Sequence, residues 1–117
     1  MWLERNPCVY ILASAPNGTL YVGVTSDLLR RIAQHRDGTF GGFTKRHAIR
    51  RLVYFEMADT MEAAIGREKQ LKRYARDWKR NLIERQNSLW EDLAEGFGLP
   101  PLGIGERRPV DPGTRPG

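Results

Sequence analysis

The alternation of hydrophobic and polar positions predicts two short strands near the start of the chain. Residues 8–13 form a continuous apolar run, and residues 19–24 form a second run rich in β-branched and aromatic side chains. Between them, residues 16–18 read Pro-Asn-Gly, a sequence typical of tight turns. The pattern therefore predicts a β-hairpin that brings the two runs side by side.

The period of two along these strands predicts where their tyrosines lie. Tyr10 lies on one face of the first strand, and Tyr21 shares one face of the second strand with Gly23. If the two faces coincide, the sheet carries a two-tyrosine patch, and the glycine leaves room beside it. Taken singly, each tyrosine is better explained as an ordinary half-buried strand residue.

The segment that follows the second strand predicts an amphipathic helix. Ser26 is a suitable N-cap, and Asp27 then lies in the first turn, where a negative charge suits the helix dipole. Arg31 and His35 are four residues apart and share one side of this helix. Such a pair is usually solvated, so alone it is weak evidence for a site. The apolar pairs at the same spacing are Leu28 with Ile32 and Leu29 with Ala33.

The next segment, residues 36–47, is too rich in glycine for regular structure and interleaves aromatic with basic residues, Lys45 among them. This composition suits a loop that contacts phosphates and stacks on bases, and it equally suits a connector whose phenylalanines pack on the core. Residues 51–56 then read as a third strand. Their near-continuous apolar run predicts a central position in the sheet.

A second helix is predicted from Thr60 to Tyr74, and one acidic residue interrupts its apolar stripe. Glu68 has apolar neighbours at i−4, i−3 and i+3, so it is directed toward the core side of the helix. A carboxylate there is costly unless a cation meets it. It is either a structural ion pair, a ligand for a divalent metal or an acid–base group. The apolar stripe consists of Met61, Ala64, Ile65, Leu71 and Ala75.

A third helix is predicted over residues 76–87, followed by further packing around Trp90. Between Arg67 and Arg80 there are seven basic residues, including Lys72, against two acids. Such a run is usually a solvated face, but it also suits contact with phosphates. The residues expected on the buried side of the third helix are Trp78, Leu82 and Ile83. We expect one domain over residues 1–95 and a flexible tail, rich in Gly, Pro and Arg, over residues 96–117.

Composition narrows the class of protein. The chain has 117 residues, a formal net charge of +5 and a single cysteine, Cys8. Its size fits one domain, and its charge favours an anionic partner, either nucleic acid or an acidic protein surface. The lone cysteine suits a reducing compartment, and no apolar run reaches membrane-spanning length. We therefore expect a cytoplasmic protein without a membrane partner.

The ordered set of motifs resembles the GIY-YIG nuclease superfamily, and within it the small standalone endonucleases. The matching residues are Val-Tyr-Ile-Leu at 9–12, Tyr-Val-Gly at 21–23, Arg31, His35 and Arg-Glu-Lys-Gln at 67–70. The resemblance covers residues 7 to about 93. It implies an α/β (α+β) fold with a small three-stranded sheet, built on the N-terminal hairpin and surrounded by helices.

The resemblance has departures. Residues 8–10 read Cys-Val-Tyr where the family has Gly-Ile-Tyr, so the tyrosine is kept and the glycine is lost. The family often has an asparagine downstream of the glutamate that helps to hold the phosphate. Asn81 fits that spacing roughly, and Asn87 is a rival.

The resemblance also implies a set of catalytic residues for metal-dependent phosphodiester hydrolysis. Glu68 would hold one Mg²⁺ or Mn²⁺, and Arg31 would stabilise the developing charge on the phosphate. Tyr21 or Tyr10 would orient or deprotonate the attacking water, with its pKa lowered by nearby positive charge, and His35 could relay the proton. The sequence does not decide between the tyrosines. The residues expected to contact substrate are Gly23, Lys45, Lys72 and Asn81.

We expect DNA as substrate, with weak sequence specificity and a preference for single-stranded or branched forms, and we see no sign of an obligate protein partner. The main alternative is a non-catalytic nucleic-acid-binding module that keeps the fold. A third interpretation is a protein-interaction domain in which Glu68 and Arg31 form a buried structural pair.

Overall fold

The computed structural model describes residues 6–39 and 42–98. These residues form an α+β domain in which helices surround a small antiparallel sheet, as the sequence predicted. In chain order the elements are β1 (Cys8–Ala13), β2 (Leu20–Thr25), α1 (Leu28–Asp37), α2 (Gly42–Arg46), β3 (Arg51–Met57), α3 (Met61–Arg73), α4 (Arg76–Gln86) and a final 3-10 helix (Leu93–Phe97).

The first strand lies at the centre of the sheet. β1 pairs with β2 on one side and with β3 on the other, both antiparallel, so the strand order is β2-β1-β3. The predicted hairpin is confirmed, but the predicted central position of β3 is wrong. An apolar run indicates that both faces of a strand are covered, and it does not indicate how many strands lie beside it. The run in β1 is equally continuous, and all six of its residues are buried.

Side chains from the two faces of the sheet form two separate cores. Tyr10 belongs to the face covered by α1, and Val9 and Ile11 belong to the face covered by α3 and α4. The α1 side comprises Cys8, Tyr10, Leu12, Leu28, Ile32, Ile49, Leu52 and Ala94. The α3 side includes Val9, Ile11, Val22, Val53, Ala64, Leu71, Ile83 and Trp90. Therefore α1, which carries Arg31 and His35, packs on one face of the sheet, and α3, which carries Glu68, packs on the other face and against the edge strand β2.

Two local predictions around α1 were wrong. Asp27, not Ser26, is the N-cap: its Oδ1 accepts the backbone N–H of Arg30 at 3.3 Å. Both residue types cap well, so composition alone does not fix which of two neighbours does so. The segment 36–47 is also more regular than predicted, because α1 continues to Asp37 and α2 occupies Gly42–Arg46. Within that segment, Phe40 lies outside the described residues.

The helices on the other face bury fewer side chains than the apolar pattern predicted. In α3 only Ala64 and Leu71 are buried, whereas Met61 and Ile65 are 36% and 38% exposed, and Ala75 is also exposed. In α4, Ile83 is buried, but Trp78 is 64% exposed. A three-stranded sheet is too narrow to cover the full apolar width of two helices. The surplus apolar surface of α4 faces solvent.

The described chain ends beside the α1-side core. Phe97, in the final 3-10 helix, lies 5.4 Å from Phe55 between ring centroids. The predicted tail of residues 96–117 lies outside the described residues from residue 99 onward. Within the described ranges, no helix is both long enough and apolar enough to span a membrane.

Candidate active site

Tyr10 is the centre of the candidate site. It lies on the central strand opposite Gly23 of β2, and its side chain is fully buried. A Cβ atom added to Gly23 would lie 2.4 Å from both Cζ and Oη of Tyr10. Because atoms cannot approach so closely, the tyrosine ring occupies the space that the glycine leaves, as the alternation of the strands predicted.

His35 connects Tyr10 to a residue that the sequence did not single out. Its Nε2 lies 3.0 Å from Tyr10 Oη, and its Nδ1 lies 3.0 Å from Thr44 Oγ1. His35 and Thr44 are each 1% exposed, so this chain of hydrogen bonds is enclosed. Thr44 comes from α2, inside the segment expected to be irregular, and no sequence signal pointed to it.

Tyr21 completes an aromatic cluster with these two side chains. Its ring centroid lies 5.4 Å from that of His35 and 6.3 Å from that of Tyr10. The strand register places both tyrosines on the same face, since Leu12 opposes Tyr21 and Tyr10 opposes Gly23. Tyr21 is half-buried, so it is the tyrosine of the pair that reaches solvent.

Burial shifts the pKa values of both His35 and Tyr10. Burial lowers the pKa of His35 to about 4, and the positive charge of Arg31 adds to the effect. Burial raises the pKa of Tyr10, which the hydrogen-bonding Arg31 offsets only in part. At neutral pH His35 is therefore uncharged and Tyr10 is protonated. A neutral His35 supplies no positive charge to Tyr10, so Arg31 is the cation that acts on this tyrosine.

Arg31 lies at the boundary between this buried cluster and solvent. Its Nη1 donates to the backbone carbonyl of Val24 at 3.3 Å, which directs the side chain back across β2. It also lines a polar surface pocket of about 260 Å³ at the start of α1, together with Arg30 and Gln34. A guanidinium in this position can act on a bound anion and on the tyrosine–histidine cluster together.

Glu68 lies on the core side of α3, as its spacing predicted. Its side chain is only 13% exposed, and one carboxylate oxygen lies 2.7 Å from Nζ of Lys72, one turn further along the helix. Among the described residues, Glu68 makes no hydrogen bond to the tyrosine–histidine cluster. The structure therefore assembles Tyr10, Tyr21, Arg31 and His35 around Gly23, and Glu68 comes from α3 without a hydrogen bond to them.

The donor set near Glu68 limits the kind of metal site it can form. Within the described part of the chain, no group of three or more His, Cys, Asp or Glu side chains is placed to hold a metal ion. A single carboxylate is nonetheless a usual protein contribution to an Mg²⁺ site, because this ion keeps several waters and takes further oxygens from substrate phosphates. Glu68 fits that role, provided that Lys72 gives way.

The two candidate asparagines have different environments. Asn87 is buried: its Nδ2 donates to the carbonyls of Val53 and Glu91, and its Oδ1 accepts the N–H of Glu91. It closes the turn after α4, so its amide is not free to hold a phosphate. Asn81 is exposed on α4. Lys45 is also exposed, and its side chain passes close to Gly38.

One residue of the predicted basic strip is held within the fold. Arg67 forms an ion pair with Glu56 of β3 at 2.8 Å, and Tyr54 donates a hydrogen bond to the same carboxylate. The guanidinium of Arg67 lowers the pKa of Glu56. Because Arg67 immediately precedes Glu68, this pair fixes the rotation of α3 at the position of the candidate metal ligand.

Comparison with known proteins finds one matching domain family and similar proteins named UPF0213. Residues 6–81 match the family model of the GIY-YIG catalytic domain. A UPF0213 protein of Haloquadratum walsbyi is 38% identical over 76 residues, which cover 65% of this chain and 84% of that protein. A UPF0213 protein of Syntrophus aciditrophicus is 36% identical over 78 residues, covering 66% of this chain and 88% of the relative.

Among solved structures, the chain is similar to the solution NMR structure of the UPF0213 protein from Bacillus halodurans. The two share 30% sequence identity with a TM-score of 0.48, and the match covers 77% of this chain and 95% of the other. The span of the family match contains every residue of the candidate site, from Tyr10 to Asn81.

Proposed function

Because this chain belongs to the GIY-YIG catalytic domain family, we propose that it is a metal-dependent endonuclease that hydrolyses DNA phosphodiester bonds. Members of this family are generally endonucleases that act on nucleic acid with a divalent metal ion. The observation that carries the proposal is the enclosed cluster of Tyr10, His35 and Tyr21, packed over Gly23 with Arg31 at its edge. We place this activity in a nuclease domain of residues 1–95.

In this proposal Glu68 holds one Mg²⁺ or Mn²⁺ through its carboxylate. Such an ion, when bound, supplies positive charge to the phosphate and to the departing oxygen. Lys72 now neutralises Glu68, and binding of a cation at that carboxylate would release the lysine. The freed ammonium group would then contact a phosphate of the substrate, which is the role predicted for Lys72 from sequence.

Arg31 and the two tyrosines take different roles. Arg31 stabilises the negative charge that develops on the non-bridging phosphate oxygens, a task suited to its planar fork of donors. We assign orientation of the attacking water to Tyr21, since it reaches solvent and Tyr10 does not. Tyr10 and His35 position the Tyr21 ring from beneath. In one tautomer of neutral His35, Nε2 accepts a hydrogen bond from the Tyr10 hydroxyl and Nδ1–H donates one to Thr44; in the other tautomer both hydrogen bonds run in the opposite direction.

We propose single-stranded or branched DNA as the preferred substrate, with weak sequence specificity. Phe43 is 45% exposed on α2, and Lys45 of the same helix is also exposed, so one residue could stack on an unpaired base and the other could contact a phosphate. Gly23, Lys45, Lys72 and Asn81 would be the substrate-contacting residues.

A second candidate function is a nucleic-acid-binding module without catalysis. The ion pair between Glu68 and Lys72 favours this alternative, because a carboxylate already neutralised by lysine is a weaker metal ligand. The retention of Tyr10, Tyr21, Arg31, His35 and Glu68 in one chain favours catalysis.

The proposal is tested by substituting Glu68 with Gln. We expect metal-dependent cleavage of single-stranded DNA by the wild type and loss of at least about 100-fold in the variant, the scale typical of a removed electrostatic group. The free energy of unfolding should change by less than about 1 kcal/mol, because the partner Lys72 is 53% exposed. Cleavage would be followed on labelled strands with Mg²⁺ or Mn²⁺, and stability by thermal melting.

Glu62→Gln is the matched control, since Glu62 is an exposed glutamate of the same helix. It should cleave as the wild type does. A wild type that binds DNA but cuts no form of it would support the binding module instead. A Glu68→Gln protein that loses about 3–5 kcal/mol of stability would make Glu68 a structural ion pair first.

A further inference from the structure

A surface pocket between α3 and α4 combines aromatic and polar side chains, and of the residues that line it only Asn81 has been assigned a contact with substrate above. Its volume is about 410 Å³. We call it the aromatic pocket, and its lining residues are Arg67, Tyr74, Trp78, Asn81, Leu82 and Arg85. A pocket of this size is within the range that small ligands occupy.

Trp78 is the main apolar feature of this pocket. Its side chain is 64% exposed, and its ring stands at 62° to that of Tyr74 with centroids 5.4 Å apart. The edge contact with Tyr74 fixes the tryptophan ring while leaving much of its surface open. An exposed aromatic surface held in place in this way is a platform suited to stacking with a flat partner.

The polar residues of the aromatic pocket are of two kinds. Arg67 is fixed by Glu56 and lies over the Tyr74 ring, 5.9 Å from its centroid. Asn81 and Arg85, in contrast, make no side-chain hydrogen bond or ion pair within residues 6–39 and 42–98. They follow Trp78 by three and seven residues, so all three lie on one face of α4. A stacking surface, an amide and an unpaired cation therefore form one row.

We propose that the aromatic pocket binds an unpaired nucleotide of single-stranded DNA. The base stacks on Trp78, the Asn81 amide bonds to the edge of the base or to the sugar, and Arg85 pairs with the adjoining phosphate. An acidic peptide would use Arg85 but not the tryptophan face, and an apolar ligand would leave Asn81 and Arg85 unsatisfied. A nucleotide uses all three.

This proposal rests on the proposed nuclease function and makes its substrate class more specific. Arg67, a wall of the aromatic pocket, is the residue immediately before Glu68 on α3. Consecutive helical residues point about 100° apart, so the aromatic pocket and Glu68 lie on adjacent sides of the same helix. The pocket would hold an unpaired base near the scissile phosphate, which a fully stacked duplex could not provide without unstacking.

The test compares two single strands of about ten units, a length within the site sizes of single-strand-binding proteins. One strand is oligothymidylate, and the other has the same phosphodiester backbone with abasic sugars. Affinities would be measured by fluorescence anisotropy of the labelled strands with the full chain and EDTA, so that no cleavage occurs. The wild type should bind the thymidine strand about tenfold more tightly, equivalent to about 1.4 kcal/mol.

Variants locate that preference. Trp78→Ala should bind the two strands equally, and Trp78→Phe should keep most of the preference because it can still stack. Arg85→Gln should lower the affinity for the thymidine strand and for the abasic strand by the same factor. Leu89→Ala is the matched control, since Leu89 is a 71% exposed apolar side chain outside the pocket, and it should behave as the wild type.

Equal affinity of the wild type for both strands, or an unchanged preference in Trp78→Ala, would overturn the aromatic pocket as a nucleotide site. Metal-dependent cleavage by the same wild-type protein would then leave the nuclease proposal standing. A base preference that depends on Trp78, with no cleavage under any metal, would retain the pocket and reject the catalysis.

Discussion

At the scale of single residues, the buried hydrogen-bond chain of Tyr10, His35 and Thr44 sets the character of the candidate site. Each nitrogen of His35 has a partner at 3.0 Å, so the neutral ring can lose almost all contact with water without leaving a polar atom unsatisfied. This series of hydrogen bonds orients the rings of Tyr10 and His35, and its three side chains carry no net charge. It is therefore suited to holding a hydroxyl in place and not to supplying a charge.

The two tyrosines should respond differently to loss of their hydroxyl groups. Tyr10→Phe removes the buried hydrogen bond between the tyrosine hydroxyl and Nε2 of His35, so we expect a loss of about 0.5–1.5 kcal/mol in the free energy of unfolding and only a moderate loss of cleavage. Tyr21→Phe should lower the cleavage rate by at least about 100-fold with little effect on stability. Urea unfolding and single-strand cleavage would be measured for both. The opposite pattern would exchange their roles.

The lowered pKa of His35 predicts a pH dependence of stability. The unfolded histidine takes up a proton near pH 6.5, whereas the folded one does so near pH 4. Between these values the proton binds only the unfolded state, so stability is complete above about pH 6.5 and falls as the pH decreases toward 4. The slope approaches about 1.4 kcal/mol per pH unit. Urea unfolding between about pH 7.5 and pH 5 would measure it.

The pH range from about 7.5 to 5 excludes most of the contribution of Glu56. The lowered pKa of this carboxyl affects stability only below the ordinary glutamate pKa of 4.5. His47→Gln is the control substitution at the other histidine, and the slope assigned to His35 should persist in it. His35→Gln should remove it, whatever its effect on absolute stability. A slope that persists in His35→Gln would assign the pH dependence to another group.

Residues whose spacing repeats along one element could be predicted, and residues brought in by tertiary contact could not. Tyr10, Tyr21 and Gly23 share a face because strands alternate, and Glu68 faces the core because helices repeat every 3.6 residues. Thr44 reaches His35 only through the placement of α2. The low pKa of His35 likewise depends on burial, which an Arg/His pair at helical spacing does not reveal.

At the scale of elements, α3 is positioned by a contact from β3. Arg67 pairs with Glu56, whose carboxylate also accepts the Tyr54 hydroxyl, and the same guanidinium lies over Tyr74. The side chains of Glu56 and Arg67 are each 28% exposed, so the pair is partly shielded from solvent. This cluster sets both the rotation of α3 and one wall of the aromatic pocket.

Glu56→Gln should therefore affect both the stability and the activity of the domain. Loss of the charged hydrogen bonds should cost about 1–2 kcal/mol in the free energy of unfolding, and cleavage should decrease because Glu68 is less well oriented. Asp77→Asn is the control. It breaks an ion pair whose aspartate is 81% exposed, and it should cost less than about 0.5 kcal/mol. Equal losses from the two variants would contradict a positioning role for Glu56.

The elements themselves were predictable where local signals agreed. The turn residues at 16–18 and the flanking apolar runs specified the hairpin, and Thr60 caps α3 as predicted by accepting the N–H of Ala63 at 3.0 Å. The position of β3 in the sheet depends on long-range pairing, which no local pattern contains. The exposure of Trp78 was also missed, because an apolar residue at helical spacing is normally buried.

At the scale of the whole molecule, the net charge of +5 predicts salt-dependent binding to DNA. The logarithm of the affinity for a single strand should fall linearly with the logarithm of salt concentration, by about 0.7 for each phosphate contacted. Lys45→Gln should reduce this slope by about 0.7 if Lys45 contacts one phosphate. Arg80→Gln, whose guanidinium already pairs with Asp77, should leave it unchanged. Anisotropy titrations across a series of salt concentrations would measure this slope for the wild type and for both variants.

Among the described strands, β1 precedes β2 and β3 in the chain and lies at the centre of the sheet. Its hairpin partner β2 follows at once, but β3 and α3 are made only after α1 and α2. An isolated hairpin is only marginally stable in water. The nascent chain therefore exposes the six apolar residues of β1 and an unpaired strand edge until β3 has been synthesised as far as Met57. During translation, this interval is when the nascent protein most needs a chaperone, and polypeptides truncated before residue 57 should be the most prone to aggregate.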